Sequence, residues 1–454
     1  MEKNDKKMTC RLLLPSDTAG SKKEINIYLE KRDDNVLLLN PDTGVWVISK
    51  EYVELMDCLN EGGLIEFEKL PLQIQRKIHE DAVFEEPVEN QDGNCYRLLI
   101  LESTQRCNMS CKYCFENASA AGCDMTADVA VRAFDLFSSL KDADELINVE
   151  FNGGEALLNF KMIEEAVPRI VELALEKSKK VVFTIQTNAT LLSFEQIAFL
   201  KKHGFSIGVS IDGTEEFNHD RVFRDGKETY HTVMDKIAML KGCSFSTLSV
   251  IKEQGQYMNM LTLSEKVGEK ELRANLINGI GKGVASSHKL AEEYILFCKK
   301  VFFEKKIYEA GLSYYLMSLL KWNPFMCFKE PCGAGRNQLY VTADGRIFLC
   351  QDSCYIGKGC VGTVQDLAEE IEARIRNDEW FNHIQNCLTV EKSECVSCIW
   401  KQFCKSCPCK VLAETGDERN KSTQCEFNKY VFEELIWMAG LNIEDTINYL
   451  QYNY

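Results

Sequence analysis

An α/β fold built around a parallel sheet is what this sequence predicts, and three observations predict it. Between residues 96 and about 305, short β-like runs alternate with longer amphipathic segments. On either side of that stretch the alternation fails. The cysteines, 21 in 454 residues, gather mostly in two places.

Two or three cores are expected at this length. Residues 1–90 read as a small separate module. INIYLE and NVLLLN have strand character, and PDTG turns the chain before VWVIS. KEYVELMDCLNEG spaces Tyr52, Leu55, Met56 and Leu59 as a helix that stops at Gly62-Gly63. A second helix is expected over LPLQIQRKIHEDAVF, and the polar EEPVENQDGN is the linker.

Residues 96–305 supply six strands: YRLLILES, LINVEF, VVFTIQT, FSIGVSI, FSTLSVI and LRANLIN. Segments such as FKMIEEAVPRIVELALEK and TYHTVMDKIAMLK are the helices between them. Strands joined through helices pair in parallel by right-handed crossovers. The pattern leaves open whether six such units lie flat or close partly into a barrel. In both cases reactive groups belong at the C-terminal strand ends. In residues 306–430, LYVTADGRIFLC makes a hairpin through Ala343-Asp344-Gly345, and cysteines then dominate. Residues 431–454 read as a C-terminal helix.

A formal net charge of −16 argues against a nucleic-acid-binding surface, which needs a basic footprint. No apolar run reaches membrane-spanning length, and MEKNDKKMTC lacks a secretion signal, so no membrane partner and a cytoplasmic location are expected. In a reducing compartment, clustered cysteines ligate metal or do redox chemistry rather than form disulfides. Three of them lie at 107–114 and thirteen at or beyond 298. Cys10, Cys58, Cys95, Cys123, Cys243 and Cys298 are scattered singly and read as small buried or idle thiols.

CNMSCKYC places Cys107, Cys111 and Cys114 at C-x3-C-x2-C spacing directly after a strand. Three thiolates so close on one loop cannot all enter a core, but they can converge on one cluster. Three ligands on a four-iron cubane leave one iron open for a substrate or cofactor. Zinc is the alternative, although a closed structural zinc site wants four ligands and only the distant His203 or His219 could complete it.

This spacing, with Tyr113 before the last cysteine and Phe115 after it, resembles the signature of the radical S-adenosylmethionine superfamily. The companion motifs follow in that family's order. Asn152-Gly153-Gly154-Glu155 ends the second strand and is similar to the motif that grips the cofactor's methionine amine. Thr187-Asn188 ends the third strand and Ser210-Ile211-Asp212-Gly213 the fourth; the resemblance assigns them to the ribose and methionine parts. Arg221 matches an arginine that pairs with the cofactor carboxylate, with Arg224 as the substitute. The resemblance implies a partial (β/α)6 TIM-like barrel that binds S-adenosylmethionine and a [4Fe-4S] cluster and generates a 5′-deoxyadenosyl radical.

The C-terminal cysteines are similar to the auxiliary-cluster region called SPASM, which implies two auxiliary [4Fe-4S] clusters. Family pattern gives Cys327, Cys332, Cys350 and either Cys407 or Cys409 to the first. It gives Cys395, Cys398, Cys404 and Cys425 to the second. Where the family has three residues after Cys404, this chain has two before Cys407 or four before Cys409, so the first cluster's fourth ligand stays open. If neither binds, an open iron could take a substrate thiolate. Cys354 and Cys360 fit no family position. The alternative for the region is a pair of zinc ribbons.

Proteins of this type mostly modify peptides. The N-terminal module looks like the winged-helix-like unit with which peptide maturases capture a leader by strand addition; the alternative is a scaffold extension. CGAGRNQLYVTADGRIFLC and GGEALLNF resemble thioether-forming maturases of Cys-rich ribosomal peptides, of sactipeptide or ranthipeptide type. The expected partners are a Cys-rich precursor peptide and an electron donor such as flavodoxin or ferredoxin. The competing expectation is an anaerobic sulfatase-maturing, formylglycine-generating enzyme, and the non-enzymatic one a zinc-stabilised peptide-binding protein. No residue declares itself as a base for a thiol, so no catalytic residue is assigned.

Overall fold

The computed structural model describes residues 6–15, 22–84, 95–268, 270–277, 288–305, 307–320, 332–386, 394–404 and 406–451. Among them are two sheets. The first has the order β4 (Trp46–Ser49), β3 (Asn35–Leu39), β2 (Lys22–Arg32), β1 (Lys6–Pro15), β5 (Leu64–Glu66). Helices Val53–Cys58 and Leu72–Glu80 cover one face, packing Leu55, Met56, Ile74 and Ile78 against Cys10, Leu12, Ile27, Leu29, Val36 and Leu38. The other face sends Tyr28, Leu37 and Leu39 into a core shared with the C-terminal helix Cys425–Leu441. A sheet covered on both faces explains why NVLLL is an unbroken apolar run. The module is also held by charge. Arg32 lies between Glu30 at 2.7 Å, Glu434 at 2.7 Å and Glu433 at 3.1 Å, with its guanidinium 5.1 Å from the Trp437 ring centre.

Strand β1 is absent from the sequence expectations. Its residues mix charge with apolar side chains and become a strand by pairing antiparallel with β2 over their whole lengths. The second expected helix ends at Glu80, short of Phe84.

The second sheet has ten strands, in the order β12 (Tyr308–Glu309), β11 (Glu271–Leu276), β10 (Ser244–Ile251), β9 (Ser206–Ser210), β8 (Lys180–Thr187), β7 (Ala143–Gly153), β6 (Tyr96–Thr104), β13 (Gln338–Val341), β14 (Arg346–Phe348), β15 (Cys360–Thr363). From β6 to β12 every neighbouring pair is parallel. All six expected strands are present, and helices such as Ala127–Ser138, Phe160–Glu176 and Tyr230–Met239 fill the crossovers. Start signals are explicit: Thr126 accepts from the Val129 amide, and Ser193 forms a capping box with Gln196. Under the sheet Phe183 stacks on Phe205 with 5.1 Å between centres, and Phe151 lies 5.9 Å from Phe205. Ile163, Val167 and Ile170 of helix Phe160–Glu176 close over the same core.

The hairpin β13–β14 forms as its sequence suggests, with Gly345 at φ +85°. It does not stand apart from the parallel sheet. β13 pairs parallel with β6, Leu339 opposite Leu99 and Val341 opposite Leu101, so the cysteine-rich region continues the central sheet. The C-terminal segment is two helices, Cys425–Leu441 and Ile443–Gln451, the first opening on the last cysteine. No helix of the described residues is long and apolar enough to cross a membrane.

Phe183→Ala empties the middle of the aromatic stack. It should destabilise the folded chain by about 3–5 kcal/mol in denaturant titration.

Candidate cofactor and substrate site

The loop after β6 is sewn to its surroundings by backbone hydrogen bonds. The Gly154 amide donates to Thr104 O at 2.9 Å and the Glu155 amide to Arg106 O at 2.9 Å, extending the β6–β7 contact into the cysteine loop. An added Cβ on Gly153 would sit 2.3 Å from Thr104 O, and one on Gly154 2.4 Å from Arg106 O. Only glycine permits that approach, and Gly153 also stands at φ +122°. On the far side the Ser110 amide donates to Val222 O at 2.8 Å and the Lys112 amide to Asp220 O at 3.2 Å.

Cys107, Cys111 and Cys114 thereby face one another on the wall of one cavity of about 330 Å³. Burial pushes the Cys107 thiol up to about 12, with the two neighbouring sulfurs adding to the shift. Such a thiol gives up its proton when a cation takes its place. The same cavity is lined by Tyr113, Gly153, Gly154, Glu155, Thr187, Asn188, Ser210 and Arg221. Of the residues expected to meet the cofactor, Asp212 and its neighbours Ile211 and Gly213 are off the wall, as is Arg224.

Asp212 lies behind Tyr113. Its fully buried carboxylate accepts from the Tyr113 hydroxyl and from the Val250 amide at 3.0 Å, and Lys252 Nζ stands 3.4 Å away. Arg221 donates to the Tyr113 hydroxyl at 2.9 Å, and Lys252 covers the ring at 5.0 Å from its centre. Sequence pattern misses Lys252, which also bonds Asp220 at 3.2 Å. Arg224 is spent on the loop itself, donating to Cys107 O at 2.6 Å and Ala118 O at 3.0 Å.

Glu155 is tied to the next strand end. It accepts from Thr187 Oγ1 at 2.5 Å, the Asn188 amide at 2.7 Å and the Leu157 amide at 3.1 Å. Burial raises its pKa. Asn188 reaches back to Asn108 Oδ1 at 3.0 Å, so β7, β8 and the cysteine loop share one hydrogen-bonded unit. Gln186, another residue absent from the expectations, donates to Ser210 Oγ at 2.8 Å.

The same cavity is lined by Gln351, Asp352 and Lys410, which follow Cys350 and Cys409 in the chain, and Gln351 donates to Glu116 beyond the cysteine loop at 2.9 Å. Cys409 touches both Cys350 and Cys407, and Cys332 faces Cys350 and Cys407. Both candidates for the open ligand position thus stand in one group. Cys327 lies outside the described residues. A second group forms around Cys404, whose thiol is pushed up to about 12 by burial and by Cys425, Cys398 and Cys395 beside it. Cys354 packs beside Ile100, Tyr340 and Phe348, and Cys360 is exposed. Among the described residues no three His, Cys, Asp or Glu side chains close around a single metal ion. A cubane held at its corners asks for a wider spacing.

The residues present fit the cofactor that the cysteine loop implies. Arg221 is buried, lines the cavity, and its Nε has no hydrogen-bond partner, so a carboxylate in the cavity would satisfy it. The paired glycines leave the β7 end without side chains where a ligand would lie against backbone.

The sequence profile described as the Radical SAM superfamily matches residues 101–252. Over 369 residues the chain is 26% identical to a cysteine-type anaerobic sulfatase-maturating enzyme of Clostridium perfringens, covering 76% of this chain and 98% of that protein. An uncharacterised protein of Archaeoglobus fulgidus is 26% identical over 372 residues, covering 77% of this chain and 83% of that one. Among solved structures, anSMEcpe with bound AdoMet aligns with TM-score 0.66 and 19% identity, covering 78% of this chain and 100% of that chain. Streptococcus suis SuiB bound to precursor peptide SuiA aligns with TM-score 0.54 and 16% identity, covering 86% of this chain and 96% of that one. At these identities the structures speak for the fold.

Gly154→Ala drives a methyl group into Arg106 O. Reconstituted variant protein should bind S-adenosylmethionine about tenfold more weakly or worse in equilibrium dialysis, from about 1–3 kcal/mol of local strain.

Proposed function

We infer, from a chain whose residues 101–252 are a radical SAM domain, a peptide-modifying enzyme that joins a cysteine sulfur to a carbon in a Cys-rich ribosomal precursor peptide. One observation carries the reading: a single cavity is lined by the three-cysteine loop, by the strand ends of β7–β9, and by Gln351, Asp352 and Lys410, the chain neighbours of the Cys332–Cys350–Cys407–Cys409 group. A substrate placed there lies between the two groups of thiols.

Cys107, Cys111 and Cys114 would hold the first cluster. Cys332, Cys350, one of Cys407 and Cys409, and Cys327 would hold the second, and Cys395, Cys398, Cys404 and Cys425 the third. When bound, the clusters and S-adenosylmethionine supply a hydrogen-abstracting radical and take up the electron left over. The protein's own part is position and electrostatics. Arg221 offers its unpartnered Nε to the cofactor carboxylate, and Tyr113 is kept in place by Asp212, Arg221 and Lys252. Glu155 fixes the strand ends that shape the cavity wall. In the overall change one C–H and one S–H bond are lost and one C–S bond forms.

The N-terminal sheet supports a peptide partner. β4 abuts helices Ala310–Leu320 and Cys425–Leu441: Trp46 Nε1 donates to Leu319 O at 2.7 Å, and Gly440 approaches Ile48 and Trp46. β5, at the other edge, has no further strand beside it among the described residues and exposes Leu64, a suitable edge for an added leader strand. SuiB, described with its precursor peptide, is a relative in fold that supports this reading.

A second reading is formylglycine formation on a sulfatase. Two observations favour it. Relatives named as sulfatase-maturating enzymes align over nearly their whole length. The nearness of both Cys407 and Cys409 to Cys350 also supplies a fourth ligand, so no iron need stay open for a substrate thiolate.

Anaerobic protein incubated with S-adenosylmethionine, reductant and a Cys-rich peptide encoded beside its gene should give a product lighter by two hydrogen atoms per crosslink. A formylglycine aldehyde in a sulfatase-derived cysteine peptide, without crosslinks, would establish the second reading instead. Replacing Cys107, Cys111 and Cys114 together by Ala should abolish 5′-deoxyadenosine formation under either reading.

A further inference from the structure

The cavity wall carries one cation that none of the preceding roles uses. Arg273 lies on β11, the sixth barrel strand, and its side chain is exposed to the cavity. Strand register places it level with Leu248 and, one strand further, with Ser210. It therefore stands at the height of the cofactor residues, not at the bottom of the barrel.

Its electrostatic partner is Glu150 on β7, on the other side of the lumen. Glu150 is half-buried on the cavity wall, and Asn152 donates to it at 3.3 Å. Burial raises its pKa in spite of Arg273, so it is a poor counter-ion. The other cations on the wall have separate work. Arg221 is bonded to Tyr113 beside the cysteine loop, and the charge of Lys410 bears on the Cys407 thiol. Asn275, next on the same face of β11, adds an amide beside the Arg273 guanidinium. A guanidinium and an amide that share one cavity wall are a receptor for a carboxylate.

We propose that Arg273 is a specificity-determining residue that receives the side-chain carboxylate of an Asp or Glu lying near the reacting cysteine of the substrate peptide. The proposal rests on the peptide-modifying reading above. The cofactor's own carboxylate is matched instead by the orphaned Nε of Arg221 beside the cysteine loop. The acidic residue of the peptide enters the lumen from the β11 side, and the bidentate contact fixes which residue sits beside the cysteine.

The test is a binding measurement on full-length reconstituted protein loaded with S-adenosylmethionine. Short fluorescent peptides carry one Cys with an Asp at successive neighbouring positions, each matched by an Asn peptide, and are titrated by anisotropy. Wild-type protein should prefer the best Asp peptide to its Asn partner by about tenfold. Arg273→Gln should erase that preference, Arg273→Lys should keep part of it, and Arg273→Glu should reverse it toward a Lys peptide. S-adenosylmethionine affinity and peptide-free 5′-deoxyadenosine formation should be unchanged in Arg273→Gln. Equal binding of Asp and Asn peptides to wild type, or no measurable binding of either, overturns the proposal. So does an Arg273→Gln variant whose loss is confined to S-adenosylmethionine affinity. Because the readout is binding, it stands apart from whether the product is a thioether or an aldehyde; a failure to form either product with preserved Asp preference would count against the reaction reading alone.

Discussion

Two glycines at the end of β7 set the geometry on which the rest of the site depends. With no Cβ at Gly153 or Gly154, the β7 end lies against Thr104 and Arg106, and hydrogen bonds pass from strand to loop without a gap. The cysteine loop thus inherits the rigidity of the sheet. Its other margin is fastened to the 220–222 segment, so three thiols are held before any cluster is present. That is the preorganisation a metal centre needs to assemble in one geometry. Glu155 extends the same device, since its carboxylate gathers amides and a hydroxyl from the next strand end.

A second layer of control is buried charge. Asp212, Arg221, Lys252 and Tyr113 form one network around the loop, and Asp220 and Lys112 continue it toward the surface. Breaking such a network by removing one member strands an unpaired charge in the interior, which costs far more than the pair contributes. Asp212 acts through this network. Its place in a strand-end motif is legible in sequence, but its position behind Tyr113 is not, because its partners Tyr113, Val250 and Lys252 come from other parts of the chain.

The sequence exposes what is local. Six parallel strands, the hairpin, the three-cysteine loop and the glycine pair all show in short patterns, and the structure forms each of them. The Cys395, Cys398, Cys404 and Cys425 group also comes together around Cys404. Long-range pairing is what stays hidden. β1 depends on β2, Lys252 on Tyr113 and Asp212, and Arg273 on a lumen shared with Glu150. The ambiguity between Cys407 and Cys409 was one of spacing, and in space both thiols stand beside Cys350.

The place of β13 has an architectural outcome. A cylinder of parallel strands closes when its last strand bonds to its first, yet here the free edge of β6 is already taken by β13. Among the described residues the ten strands therefore form an open sheet that ends at β12 on one side and at β15 on the other. Two edges thus remain where a sealed cylinder would have none, and each leaves a row of backbone groups outside the ladder.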